Sequence, residues 1–193
     1  MWKRLAPTLL FAALASCGAG NNAANQTSGE SPVANATLAK FAITSTDIAN
    51  GKPIPQVHTC DGADQSPQLS WPEAPPGTRS FALVMDDPDA PSGTFRHWGV
   101  FNMPATRTAI ERGEGNGPSN TIFVQAVNDF GKSGYGGPCP PKGHGPHRYR
   151  FKLYALDVDK LTLPADAKIE QVEAQAEKHQ IAFAEITGTY ERH

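Results

Sequence analysis

The chain has 193 residues, which is enough for one ordinary domain with short additional segments and too few for two full domains. Its formal net charge of −2 at pH 7 provides no overall basic field, so we expect no nucleic-acid partner. Its 17 prolines and 18 glycines interrupt regular structure more often than a helical bundle tolerates, and they favour strands joined by turns and loops.

The first residues have the pattern of an export signal. A basic pair at residues 3–4 precedes an apolar run at residues 5–15, which is too short to span a bilayer of about 30 Å as a permanent helix. The run ends in Leu-Ala-Ser-Cys at residues 14–17, which resembles the lipobox of bacterial lipoproteins. We therefore expect residues 1–17 to be a lipoprotein signal peptide and lipobox, with lipid on Cys17. An ordinary secretory signal, in which the cysteine is incidental, is the alternative.

Lipid on Cys17 would anchor the exported chain to the cell envelope, because more than one acyl chain gives stable attachment to a membrane. Gly18 stands where an aspartate is associated with inner-membrane retention, so by resemblance the outer membrane, facing the periplasm, is favoured. Residues 18–39 have almost no large apolar side chains and cannot offset the entropy of ordering. They predict a flexible tether, followed by one folded domain over residues 40–193.

The domain begins with signals typical of strands. Compact apolar runs at residues 81–85, 98–103 and 121–127 indicate buried strands. From His147 to Leu156 apolar and polar side chains alternate, which predicts a strand with one buried face and one solvent-exposed face.

The pattern changes near the end of the chain. From Ile169 to Phe183 apolar residues recur at intervals of three and four, which predicts one amphipathic helix with Asp166 as its N-cap. The predicted fold class is therefore mainly β, an antiparallel β-sandwich or Greek-key arrangement with a C-terminal helix and long polar loops.

Three unusual segments lie at the ends of the predicted strands. Asp-Asp-Pro-Asp-Ala-Pro occupies residues 86–91, Arg-His-Trp occupies residues 96–98, and a Gly- and Pro-rich stretch at residues 134–149 ends in His-Arg-Tyr. Proline fixes φ and glycine permits close approach of the backbone. We therefore expect the third segment to form a rigid wall whose amides point into a cavity for a compact anion.

Together these segments resemble the phosphatidylethanolamine-binding protein family, most closely its bacterial branch of Raf-kinase-inhibitor-like proteins. Segments typical of that branch extend the match: Thr-Cys-Asp-Gly at residues 59–62, Asn-Asp-Phe-Gly at 128–131 and the closing Gly-Thr-Tyr at 188–190. The resemblance runs from about Phe41 to the end of the chain, and several spaced motifs in the right order argue against a chance match.

The resemblance implies a non-enzymatic protein that needs no cofactor and binds a phosphate-bearing or other anionic small ligand, such as a phospholipid headgroup. The family's pocket residues, carried onto matching positions, are Asp87, Asp89, Pro91, His97, Gly137, His147 and Tyr149. A carboxylate biases a nearby histidine toward its charged form, which has two donors. We therefore expect both imidazoles and the glycine amide to bind phosphate oxygens, while Asp87 orients a histidine or accepts from a ligand ammonium group.

The resemblance also leaves other roles open. Family members are described as inhibitors of kinases or proteases, so the binding could serve regulation or inhibition of a protein partner. Alternatively Asp87, His97 and His147 could form a metal site or act as acid and base in a hydrolase. The sequence has no nucleophile elbow, no His-Glu-x-x-His and no Walker loop, so we favour binding without catalysis.

Several other side chains are interpreted as structural. We expect Trp71 and Trp98 in the core and His179 packed on the helix. Residues expected in turns or at the surface are Asp86, Arg148, Arg150, His58, His144 and His193. Beyond Cys17, the remaining cysteines are Cys60 and Cys139, and an exported chain meets an oxidising compartment, so we expect a disulfide between them; two reduced thiols are the alternative.

Overall fold

A computed structural model describes residues 41–72, 74–118 and 120–193. The predicted signal peptide, the lipid on Cys17 and the tether of residues 18–39 lie outside the described residues. In the described part of the chain, no helix is both long and apolar enough to cross a membrane.

Seven strands and one α-helix make up the described fold. The strands are β1 (Leu69–Ser70), β2 (Ser80–Asp87), β3 (Phe95–Pro104), β4 (Ala109–Ile110), β5 (Val124–Gln125), β6 (His147–Leu156) and β7 (Gln180–Tyr190). The helix, α1, runs over Ile169–His179, and a 3-10 turn covers Gln56–His58. The strands β5-β3-β2-β6-β7, in that order, form an antiparallel sheet, while β1 and β4 form a separate antiparallel pair. The predicted mainly β, antiparallel fold class with a helix near the C-terminus is confirmed.

Strand β2 lies at the centre of the main sheet and is buried along its whole length. Successive side chains of a strand point to opposite faces. Phe81, Leu83 and Met85 therefore join a larger core that includes residues of β1 and β4. Ala82 and Val84 join a second core beneath α1. The apolar run at residues 81–85 is a strand, as predicted, and it supplies both cores.

Gly99 in β3 allows α1 to pack directly on the sheet. A Cβ on this residue would lie 2.6 Å from Cγ1 of Ile169 and 3.2 Å from Cβ of Ala126. The first distance is shorter than packed carbon atoms tolerate, so any larger side chain at residue 99 would push the start of the helix off the sheet.

The predicted helix is wrong at both ends. α1 begins after Lys168 rather than Asp166, and the Lys168 N–H donates to Oε1 of Gln171 at 2.9 Å. The chain leaves the helix at Gln180 and continues as β7, where Phe183 pairs with Tyr154 of β6. Apolar residues lie on both faces of the start of this strand, and by coincidence they continue the three- and four-residue spacing of the helix. His179, expected to pack on the helix, instead lies half-buried beside Asp157, with 3.0 Å between Nδ1 and Oδ1.

The solvent-exposed face predicted for β6 is exposed only near its start. Arg148 is exposed, but Lys152 and Tyr154 are 8% and 2% exposed, because α1 covers this part of the sheet. Lys152 Nζ lies 2.7 Å from Oδ2 of Asp86 and contacts the Glu173 carboxylate of α1. Buried charges are tolerated when they are paired in this way.

Asp86, expected as a turn residue, is a buried residue of β2 instead. Its carboxylate accepts from the guanidinium of Arg150 at 2.7 and 2.8 Å, so Arg150 is an ion-pair partner rather than a freely solvated side chain. The expected surface position of His58 is also wrong: the ring is 1% exposed and its Nδ1–H donates to the Gln65 carbonyl at 2.7 Å. Trp71 and Trp98 are buried, as predicted.

Two further predictions concern the loops. The apolar run at residues 121–127 forms a strand only at Val124–Gln125. The disulfide between Cys60 and Cys139 is present, as predicted. It joins the loop after the 3-10 turn to the Gly- and Pro-rich segment that precedes β6.

Candidate ligand-binding site

Three buried polar side chains meet where three neighbouring strands begin or end. Strand β2 lies between β3 and β6 and runs antiparallel to both, so its last residues are adjacent to the first residues of its neighbours. Asp87 is the last residue of β2, His97 is the third residue of β3 and His147 is the first residue of β6. Each side chain is 2–3% exposed. The sheet therefore brings these three predicted site residues together.

These side chains line a cavity of about 150 Å³. The remaining wall is mostly apolar and consists of Ala90, Pro91, Ser92, Phe95, Phe130, Cys139, Pro140 and Pro141. Pockets for drug-sized ligands have volumes of about 300–1,000 Å³. The cavity is smaller than these and has room for a group of headgroup size.

The carboxylate of Asp87 orients His147. The Nδ1–H of His147 donates to Oδ2 of Asp87 at 2.7 Å, and Oδ1 of the same carboxylate accepts from the Asp89 amide at 2.8 Å. The opposite ring nitrogen, Nε2 of His147, lies 2.8 Å from Nδ1 of His144, which is an exposed loop residue. Both nitrogens of His147 thus have a partner from the protein.

His97 also donates from Nδ1–H, but to a backbone carbonyl rather than to a carboxylate. Its Nδ1–H donates to the Gly136 carbonyl at 2.8 Å. Burial lowers the pKa of His97 below its ordinary value, although the Gly136 carbonyl and the negative charge of Asp87 oppose the shift. In the neutral ring Nε2 carries a lone pair and accepts hydrogen bonds. The neutral form of His97 can therefore accept from a donor group on a ligand, and the expectation that both imidazoles donate to an anion stays a prediction.

Aromatic rings surround His97. The ring centroids of Phe95, Phe130 and Tyr149 lie 5.0, 5.4 and 5.2 Å from that of His97, and Phe95 and Phe130 also line the cavity. The faces of aromatic rings attract cations. With the negative charge of Asp87 nearby, this side of the cavity suits an ammonium group.

Tyr149 supports the site from behind the cavity wall. Its side chain is fully buried, and its hydroxyl is the one buried side-chain polar atom without a hydrogen-bond partner in the part of the chain that the structure describes. Burial, together with the negative charge of Asp87, raises the pKa of Tyr149 well above its ordinary value, so the hydroxyl keeps its proton.

Besides Tyr149, two more of the predicted pocket residues, Asp89 and Gly137, do not reach the cavity wall. The Asp89 carboxylate accepts from the guanidinium and the backbone amide of Arg148 at 2.7–2.9 Å, and Arg148 lowers the pKa of Asp89 to about 2. The Gly137 amide, expected to face the ligand, donates to Oδ1 of Asp64 at 2.7 Å. A Cβ at Gly137 would lie 2.5 Å from the same oxygen, so glycine serves the close approach of two loops. Pro91 does line the cavity.

The metal-dependent alternative has no geometric support. Across residues 41–72, 74–118 and 120–193, no group of three His, Cys, Asp or Glu side chains is arranged to hold a metal ion. Asp87, His97 and His147 are close together, but the Asp87 carboxylate, both ring nitrogens of His147 and Nδ1 of His97 bond to protein groups rather than converging on one point.

Comparison with known proteins decides the family. The family model named "Phosphatidylethanolamine-binding protein" matches residues 44–191, which include all the site residues described above. The chain belongs to this family. The phosphatidylethanolamine-binding resemblance that the sequence motifs indicated is thus confirmed.

Relatives from distant organisms share most of the domain. A UPF0098 protein of Aquifex aeolicus is 48% identical over 148 residues, which cover 77% of this chain and 86% of the relative. The UPF0098 protein YbcL of Escherichia coli is 41% identical over 165 residues, covering 81% of this chain and 90% of the relative. The chain is therefore similar to bacterial members of the family over nearly their full length.

Two solved structures support the same fold. The crystal structure of E. coli YbcL, described as a new member of the mammalian PEBP family, has a TM-score of 0.76 at 40% identity and covers 80% of this chain and 100% of its own. A putative phosphatidylethanolamine-binding protein homologue of Chlamydia trachomatis, CT736, has a TM-score of 0.71 at 35% identity and covers 80% and 99%.

Some residues of this site were not expected in it from the sequence, among them Phe95, Phe130 and His144. Phe95 and Phe130 form the aromatic part of the cavity wall, and the ring of His144 is hydrogen-bonded to the ring of His147. Phe130 lies in the branch-typical Asn-Asp-Phe-Gly segment, which could have indicated a role. The spacing His-Gly-Pro-His at residues 144–147 was a signal as well, because proline limits the conformations that separate the two rings.

Proposed function

We propose that the cavity binds a small ligand that carries both a phosphate group and an ammonium group or comparable donor, of the size of a phospholipid headgroup. The observation that carries the proposal is the buried Asp87–His147 pair beside His97 in a small, otherwise apolar cavity. Buried polar side chains of this kind are costly for a fold and are typical of binding sites.

The charges in the cavity favour a zwitterion over a simple anion. A purely anionic ligand would meet the negative charge of Asp87, whereas a ligand ammonium group can approach that carboxylate, the lone pair of His97 and the faces of Phe95 and Phe130. Nε2 of His147, when the ring carries both protons, is a charged donor for phosphate oxygens, and the hydroxyl of Ser92 also lines the cavity. Phosphoethanolamine combines these groups, and the family's name supports it as the first ligand to test.

Binding should be measured by isothermal titration calorimetry with phosphoethanolamine, inorganic phosphate and ethanolamine. We expect phosphoethanolamine to bind more tightly than either fragment. His147→Ala should weaken its binding about ten- to a hundredfold, since a charge-assisted hydrogen bond is lost. Because alanine leaves Oδ2 of Asp87 buried without its partner, His147→Asn is the more informative variant. The asparagine amide can replace Nδ1 as the donor while lacking Nε2.

The matched control is His179→Ala, which removes a half-exposed histidine that does not line the cavity. Arg148→Ala is unsuitable as a control because Arg148 holds Asp89 beside the loop of residues 90–92 that forms one wall. Unchanged affinity in His147→Asn, with a melting temperature near that of the wild type, would place the phosphate site elsewhere.

A further inference from the structure

His144 is hydrogen-bonded to Nε2 of His147, the ring nitrogen on which the proposed phosphate binding depends. The two rings are 5.1 Å apart between centroids and inclined by 62°, and the Nδ1 to Nε2 distance of 2.8 Å is that of a good hydrogen bond. Since Nδ1 of His147 is bonded to Asp87, the ring has no free nitrogen in this conformation. Whichever ring supplies the shared proton, a ligand that needs Nε2 must first displace His144.

The loop around His144 permits such a displacement. Gly143 and Gly145 flank it with φ of 74° and 86°, values that glycine adopts without strain, and neither glycine has any atom within 4 Å of the position a Cβ would take. His144 is exposed, and its bond to His147 is the one hydrogen bond of its ring in the described part of the chain. The backbone of the loop is tied separately, through Gly143 N–H to the Arg192 carbonyl and His144 N–H to the Pro141 carbonyl.

We propose that His144 is a specificity-determining residue, a latch on Nε2 of His147 that a ligand with an anionic oxygen displaces most readily. The inference rests on the proposed function. A phosphate oxygen accepts from Nε2–H of the charged ring and replaces the bond that His144 gives up. An ammonium group has no lone pair with which to accept that bond, and the neutral hydroxyl of ethanolamine is a weaker acceptor than an anionic oxygen, so ethanolamine displaces His144 less readily. The latch makes the cavity select phosphate-bearing molecules over ammonium compounds of similar size.

The test is the affinity of His144→Ala for the same three probes. We expect binding of phosphoethanolamine and of inorganic phosphate to strengthen about three- to tenfold, because a competing hydrogen bond of ordinary strength is removed. Binding of ethanolamine, whose neutral hydroxyl is the weaker acceptor, should strengthen less than that of either phosphate probe. His179→Ala, which removes a different partly exposed histidine, should leave all three affinities at the wild-type values.

The outcomes separate the latch from the proposed function. If the wild type binds phosphoethanolamine and His144→Ala binds it equally or more weakly, His144 is not a competitor and the latch is refuted while the function stands. If neither protein binds any phosphate probe, the proposed function fails, and the latch fails with it. A direct readout needs no ligand: ¹⁵N NMR of the imidazoles should show a changed Nε2 resonance of His147 in His144→Ala, and an unchanged resonance would refute the contact.

Discussion

Removal of the disulfide should lower stability strongly while leaving the fold intact. The bond between Cys60 and Cys139 closes a loop with a sequence separation of 79 residues. In the chain-entropy description a loop of that length stabilises the folded state by about 4.5 kcal/mol through its restriction of the unfolded chain. The double variant Cys60→Ser/Cys139→Ser should lose most of this amount. For a domain of this size, the melting temperature should fall by about 10–15 °C.

The local structure around the disulfide has other supports. The Cys60 N–H donates to the Pro138 carbonyl at 3.1 Å, and the Tyr135 hydroxyl donates to the His58 carbonyl at 2.7 Å. These bonds keep the cavity wall in place, so the affinity of the double variant for phosphoethanolamine should change less than its stability.

Urea denaturation of the oxidised wild type, the reduced wild type and the double variant measures the effect, after non-reducing peptide mapping has verified the bond. The reduced wild type and the double variant should agree within about 1 kcal/mol. A loss below about 1 kcal/mol in both would refute the entropic argument. Alkylation of both thiols without prior reduction would show that the bond is not formed in the isolated protein.

Two further predictions concern the second core and the N-terminus. Lys152→Met should lower the free energy of unfolding by about 3 kcal/mol in urea denaturation, because it leaves the buried carboxylates of Asp86 and Glu173 without their shared cation. Adding Glu173→Leu should recover part of that loss, and a further loss of similar size would contradict the explanation. Cys17→Ser should abolish incorporation of a fatty-acid probe in cells, since we expect lipid on that thiol; a variant that still takes up the probe would exclude the predicted anchor.

The fold was predictable wherever local patterns and tertiary burial agree. The run from Phe81 to Met85 is apolar without interruption, as expected of a strand covered on both faces. The burial of Lys152 was not predicted, because a charged side chain usually lies in solvent. Its burial is tolerated because it pairs with the carboxylates of Asp86 and Glu173, which are distant in the sequence. The end of α1 was missed because no glycine or proline stands between His179 and the following strand.

The site was predictable in its residue types and less so in its bonds. The motifs indicated Asp87, His97 and His147, and the strand register brings them together. Asp89 and Gly137 belong to the same motifs, but their polar groups bond to other parts of the protein, which sequence spacing alone does not reveal. The lowered pKa of His97 depends on burial and was equally inaccessible from the sequence.

The cavity is lined by two kinds of element, strand ends and loops. Its polar floor is built on ends of the central strands, where any change disturbs the sheet, whereas Ala90, Ser92 and Phe130 come from loops that carry little of the core. Substitutions in those loops can reshape the wall without loss of the buried polar centre. Ligand preference can therefore diverge among descendants of this domain, or be redesigned in the laboratory, faster than its architecture changes.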